Sequence, residues 1–210
     1  MKKFVLTLAV FTLVFNTSCK DKKTTKTEAN EAPTEVVASK QFVVKPEATK
    51  VTWTAYKTTA KTPVGGEFAT LNFEEKSGET PQDALNNLTF SIPVSSLMTK
   101  DVGRDSKLKA SFFGAMLDTE FLTGTLKYSN DKYTAFITMN GVTNELPLEV
   151  EITDERRVKM ITTMDLKKWN ALEALESLNK VCFDLHKGAD GVSKTWEDVA
   201  IEINTFLREN

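Results

Sequence analysis

The sequence predicts an all-β domain whose antiparallel sheet either closes into a barrel or folds into a sandwich. Apolar and polar residues alternate in a series of short runs, the period of strands with one buried and one wet face. The polar pairs Asn130-Asp131 and Asp154-Glu155 sit between successive runs as turns. So many short strands joined by tight turns are best accommodated in a closed or doubled sheet.

The first residues have the layout of an export signal, and one is expected there. Lys2 and Lys3 supply the positive start, Phe4 to Phe15 a short apolar stretch, and Thr17-Ser18 the small residues that precede a cleavage site. That stretch is too short to span a bilayer comfortably. Two readings of residues 1–18 stand: an ordinary cleaved signal with an incidental cysteine after it, or a lipoprotein signal with Cys19 as the acylated first residue of the mature chain. Several acyl chains would hold the protein on a membrane where one chain would hold it only marginally.

Cys19 and Cys182 are the only cysteines, so an acylated Cys19 leaves Cys182 as a free thiol, expected to be buried. Loss of residues 1–18, which hold two lysines and no acid, takes the net charge from −2 to about −4. A mildly acidic domain argues against nucleic acid as a partner. Residues 19–40 hold no aromatic residue and no Leu, Ile or Met. They cannot bury enough apolar surface to offset chain entropy and are expected to form a tether reaching roughly 25 Å. Residues 41–210 then form one domain, large enough for a substantial core.

Within that domain, strands are expected at Val51-Trp53-Ala55, Asn87–Leu97, Leu122–Tyr128, Tyr133–Met139, Leu146–Ile152, Val158–Met164 and Val199–Ile203. Pro93 marks an edge or a bulge in the second. A short helical turn is expected at about 105–113, capped by Asp105 or Ser106 and ended by Gly114. A covering helix is expected at about 170–186, with Leu172, Leu175, Leu178, Cys182 and Leu185 as its apolar stripe.

Catalytic chemistry finds little support. The chain has one histidine, His186, so any nucleophile–histidine arrangement must use it. Cys182 and His186 lie four apart on one helical face, but no further Cys or His completes a zinc site. The simpler reading packs Cys182 in the core and places His186 in the last turn as a cation that suits the helix dipole. Gly65-Gly66 lacks the Lys-Ser/Thr of a phosphate loop and is read as relieving a bend or bulge at the start of a strand. Glu74-Glu75 and Asp154-Glu155 read as solvated surface. No catalytic residue, metal or cofactor is expected.

Methionines and large aromatics form a loose interior vocabulary that fills a core or lines a cavity for one small molecule. That vocabulary and the inward positions of the alternating runs nominate Trp53, Phe68, Phe90, Ile92, Leu126, Ile137, Met139, Met160 and Met164 as cavity residues.

The segments Val64-Gly65-Gly66-Glu67-Phe68, "SSLMTKDVGRDSKLKASFF" (95–113), "ITMNGVTNELPLEV" (137–150) and "DVAIEI" (198–203) together resemble the YceI-like family of periplasmic polyisoprenoid-binding proteins. The resemblance runs in order over nearly all of residues 42–206, and the overall form is similar to the lipoprotein version found in Bacteroidetes-type bacteria. It implies a lipocalin-like antiparallel barrel of about eight strands around a long isoprenoid or similar amphiphile, and no catalysis. Carried over by motif, Arg104, Asp105, Lys107, Leu108, Phe112 and Phe113 are implied at the cavity mouth, Lys107 standing where many members have His. Arg104 has two readings, a contact to a phosphate or carboxylate head and a structural pair with Asp105. The expected protein holds an isoprenoid or fatty acyl lipid in the cell envelope, anchored through Cys19 to the outer membrane and facing the periplasm. An envelope interaction module with a filled barrel is the competing reading. Pairing into a homodimer stays open.

Overall fold

The computed structural model describes residues 40–209. The expected signal at 1–18, Cys19 and the tether through Ser39 lie outside the described residues. The described residues fall in one compact unit that contains both hydrophobic clusters and every strand ladder described below, so this part of the chain has what it needs to fold on its own.

The strands are β1 (Phe42–Val44), β2 (Thr49–Lys57), β3 (Thr62–Phe68), β4 (Lys76–Gly78), β5 (Leu88–Pro93), β6 (Leu97–Met98), β7 (Phe121–Ser129), β8 (Lys132–Met139), β9 (Val142–Thr153), β10 (Arg157–Asp165), β11 (Asp198–Phe206) and β12 (Arg208–Glu209). Three α-helices interrupt them: α1 (Pro81–Leu85), α2 (Val102–Lys107) and α3 (Leu172–Val181). The main sheet runs β5-β7-β8-β9-β10-β11-β2-β3-β6, antiparallel throughout.

It comes back on itself because β6 continues β5 after one turn, Val94–Ser96. Phe68 pairs with Leu97. Beyond β3, the Ala69 N–H donates to Ser96 O (2.9 Å), and Asn72 exchanges both backbone bonds with Ser91 at 2.8 Å. With β5 and β6 counted as one interrupted strand, the barrel has the expected eight. Pro93 closes β5 on the side where closure is made by isolated contacts, so its missing N–H breaks no continuous ladder.

Short turns set the register. Asn130 and Asp131 both have positive φ (51° and 58°) and join Ser129 to Lys132. Asn140-Gly141 (54° and 69°) does the same between Met139 and Val142. Paired left-handed residues match the twist of the strands they join, and Asn and Gly reach that region at little cost.

The two ends of the barrel differ. At one, the small sheet β12-β1-β4 and α1 bring Phe42, Val44, Ala84, Leu85 and Leu207 into a cluster with Tyr133, Val158 and Met160. At the other, α2, α3 and the turns around them bury Phe112, Phe113, Met116, Trp169, Ala174, Leu178 and Cys182.

Both helices depart from expectation. The first begins earlier than 105: the Asp101 side chain caps it by accepting from the Arg104 N–H at 3.0 Å. Asp105, expected as the cap, accepts instead from the Thr99 N–H (2.8 Å) and hydroxyl (2.6 Å). The chain then widens into a π turn, Leu108–Phe112, before ending in a tighter one, Phe113–Ala115. The second helix stops at Val181, with a short 3₁₀ turn at Asp184–His186. Its buried face is Ala174, Leu178 and Cys182, while Leu172 and Leu185 are 40% and 59% exposed. At 100° per residue Leu172 stands about a quarter turn off that stripe, and Leu185 lies beyond the point where the helix unwinds.

Candidate functional site

The inward faces of the strands enclose a cavity of about 220 Å³, the space open to the centre of a water molecule. All nine residues nominated from the sequence line it: Trp53, Phe68, Phe90, Ile92, Leu126, Ile137, Met139, Met160 and Met164. Leu71, Phe73, Leu85 and Leu88 carry the wall toward the sheet-capped end, and Leu108, Phe112, Phe113, Leu175, Leu178 and Trp196 toward the helical end. Apart from the tryptophan N–H groups, the polar side chains in the wall are Thr49, Thr195 and Thr205, and no wall residue is charged. Thr49 and Thr205 bond to each other at 2.7 Å. Such a space excludes an ion and takes a hydrocarbon.

Two glycines keep it open. A Cβ on Gly66 would strike Cζ2 and Cε2 of the Trp53 indole. Gly66 therefore lies inside β3, opposite Trp53, and makes room for a ring; it does not relieve a bend at the strand's start. A Cβ on Gly124 would lie 2.6 Å from Phe136 O and 2.7 Å from Phe90 Cζ. Replacing Gly66 by Val is expected to push the indole off the wall, with overpacking lowering the melting temperature by about 5 °C. A thermal scan against the parent domain checks this.

The residues implied at the mouth divide. Leu108, Phe112 and Phe113 line the cavity, with Phe113 edge-on to both Phe112 (centroids 5.0 Å apart) and Phe68 (6.5 Å). Arg104, Asp105 and Lys107 are not part of the wall. Arg104 reaches Asp101 at 3.5 Å, so its acidic neighbour is Asp101 and not Asp105, whose carboxylate is held by Thr99.

A polar cluster at the helical end escaped the sequence reading. Lys57 extends the inward series Val51, Trp53, Ala55 by one step and faces Thr195 across an isolated bridge. Its ammonium donates to Leu185 O at 3.0 Å. The Thr195 hydroxyl donates to Asn179 Oδ1 at 2.8 Å, which leaves it free to accept from His186 Nδ1–H at 2.7 Å. Ser193 adds a bond to the same Asn179 oxygen at 3.3 Å. The break in the series, a lysine at an inward position, was the available signal.

His186 is not the cation expected there. Burial, and then the Lys57 charge beside it, push its pKa below the ordinary 6.5. Because the folded state disfavours the charged ring, stability is full above that ordinary value and falls as pH drops toward the lowered one. Unfolding midpoints at pH 7.5 and pH 5.5 are expected to differ more for the parent than for His186→Gln. Cys182 is a buried free thiol. Burial pushes its pKa up, against an opposing pull from Lys107 and Lys57. Among the described residues no group of three or more His, Cys, Asp and Glu is arranged to hold a metal.

A model of the YceI-like domain matches residues 42–206. The chain belongs to the YceI-like family. Among solved structures, a polyisoprenoid-binding domain from Saccharophagus degradans, implicated in plant cell wall breakdown, is similar with a TM-score of 0.59 at 12% identity, over 82% of this chain and 99% of that one. Burkholderia cenocepacia BcnA is similar with a TM-score of 0.51 at 16% identity, over 78% of this chain and 98% of that one. No curated protein matches the sequence. The YceI-like barrel is thus shared with these structures over 82% and 78% of this chain.

Proposed function

We propose that this YceI-like protein is a lipid-binding protein of the bacterial cell envelope, holding a long apolar amphiphile, a polyisoprenoid or similar lipid, inside its barrel for transport or storage. The observation that carries the reading is a cavity whose uncharged wall runs from Leu85 and Leu88 at one end to Leu175 and Trp196 at the other. Burying apolar surface stabilises a complex by about 25 cal/mol per Å², so a chain of isoprene units gains affinity along its length without specific hydrogen bonds. The fold is shared with a domain described as polyisoprenoid-binding, which supports the same ligand class. No chemical step is part of the proposal.

Acylation of Cys19 would anchor the protein, with residues 20–40 as the tether and the outer membrane, facing the periplasm, as its location. Mass analysis of the N-terminal peptide from membrane-extracted protein tests the anchor. A single lipid-bearing substituent on the Cys19 sulfur together with an acylated amine is expected, and an unmodified Cys19 removes this part of the reading. For the barrel, one fluorescent prenyl or acyl probe should enter each domain 38–210 and be displaced by farnesol. A barrel that takes up no probe would instead favour an interaction module, for which the exposed Phe183, Leu185 and Val192 are the surface to test.

A further inference from the structure

Lys57 stands out among the residues around the cavity. Its neighbours on the same strand face, Val51, Trp53 and Ala55, line an apolar wall, and Lys57 follows them at the helical end as a half-buried cation. One bond to Leu185 O uses one of its three N–H donors. The ion pairs of the neighbouring lysines are Lys61–Asp198 and Lys187–Asp184; among the described residues Lys57 forms none, and neither does Lys107. Lys57, on β2, therefore brings to this end a cation with no ion-pair partner among the described residues. At the opposite end the polar side chains of the cavity wall are the mutually bonded hydroxyls of Thr49 and Thr205, and the Lys76 ammonium there is engaged by the Asp83 and Asn86 carbonyls.

The backbone beside Lys57 is strained. Thr58 is buried with φ 61°, a region that β-branched residues rarely enter. Three contacts hold it there: its N–H donates to Lys194 O (2.8 Å), its O accepts from Trp196 Nε1 (2.8 Å), and its hydroxyl meets that of Thr62 (3.0 Å). Strain of this kind persists where surrounding structure over-determines it, and it gathers at functional sites. Here it fixes the direction of the strand end that carries Lys57.

We infer that the bound amphiphile sits with its head at the helical end and that the head is anionic, a carboxylate or a phosphate held by Lys57, with the Thr195 and His186 groups as polar surroundings. The inference rests on the lipid-binding reading and adds the ligand's polarity and direction to it. At this half-exposed rim an anionic head gains a charge-assisted hydrogen bond from the Lys57 ammonium, whereas a neutral head gains none.

The test compares acid and alcohol on the same tail. Palmitate against hexadecanol, and farnesyl phosphate against farnesol, compete for the same fluorescent probe in domain 38–210. At least one acid is expected to bind about tenfold or more tightly than its alcohol, and the pair that shows it distinguishes carboxylate from phosphate. Lys57→Met should bring that acid to the affinity of its alcohol, and Lys57→Arg should keep the preference. Equal affinities in both pairs, or a preference that survives Lys57→Met, would overturn the inference while leaving the barrel a lipid carrier. Failure of all four ligands to bind would overturn both readings.

Discussion

Trp169→Ala is expected to destabilise the domain by about 3–5 kcal/mol, which brings a protein of ordinary stability close to unfolding at room temperature. The indole is completely buried, and its Nε1–H donates to Ile137 O at 2.9 Å, so truncation opens a void and frees a carbonyl at once. The position matters as much as the size. Trp169 ends the turn Leu166–Trp169 that leads from β10 into α3, and Asn140 of the β8–β9 turn donates to Trp169 O and Asn170 O at 3.0 Å. The residue thus ties the covering helix to two strands of the wall. Urea unfolding should show the midpoint falling sharply, with Trp169→Phe recovering part of the loss by refilling the space but not the hydrogen bond.

The second large effect concerns the cavity. Phe90→Glu is expected to lower affinity for an apolar lipid by about 100-fold or more, equivalent to about 3 kcal/mol. Phe90 lines the wall, packed where Gly124 leaves room for its ring, and no wall residue carries a charge to meet a carboxylate. An ionised carboxylate at this position would draw water into the space that the lipid must occupy. Phe90→Leu keeps the wall apolar and should bind within a few-fold of the parent. Measuring affinity and unfolding midpoint on both variants separates loss of the ligand from loss of the fold, because a variant that unfolds like the parent yet fails to bind has lost the site alone.

The main strands and the cavity wall were legible because alternation along a strand is a direct record of which face is buried. Trp53, Phe90, Ile137 and Met160 each sit at an inward step of such a run, and the structure brings them together around one cavity. Closure was less legible. It depends on residues 69–72 meeting Ser91 and Ser96, contacts made by single residues that leave no period. The helices misled for a related reason. Leucines at 172 and 185 fit a helical count over a long window, but the helix is shorter than the window, and a count says nothing about where the backbone unwinds. At the mouth, motif likeness nominated Arg104, Asp105 and Lys107, yet local capping and the bond to Thr99 engage the first two. Lys57 was passed over because the alternating run was followed only from Val51 to Ala55. Its inward direction follows from the pairing with Thr195, which only the assembled barrel supplies.

The account stands on the barrel being an occupied container. Native mass spectrometry of domain 38–210 produced in a bacterial periplasm, followed by organic extraction of whatever remains bound, tests this most directly. A discrete added mass corresponding to one isoprenoid or acyl lipid per chain is expected, lost on extraction and lost in Phe90→Glu. A bare polypeptide mass, unchanged after incubation with a prenyl alcohol or a fatty acid, would contradict it.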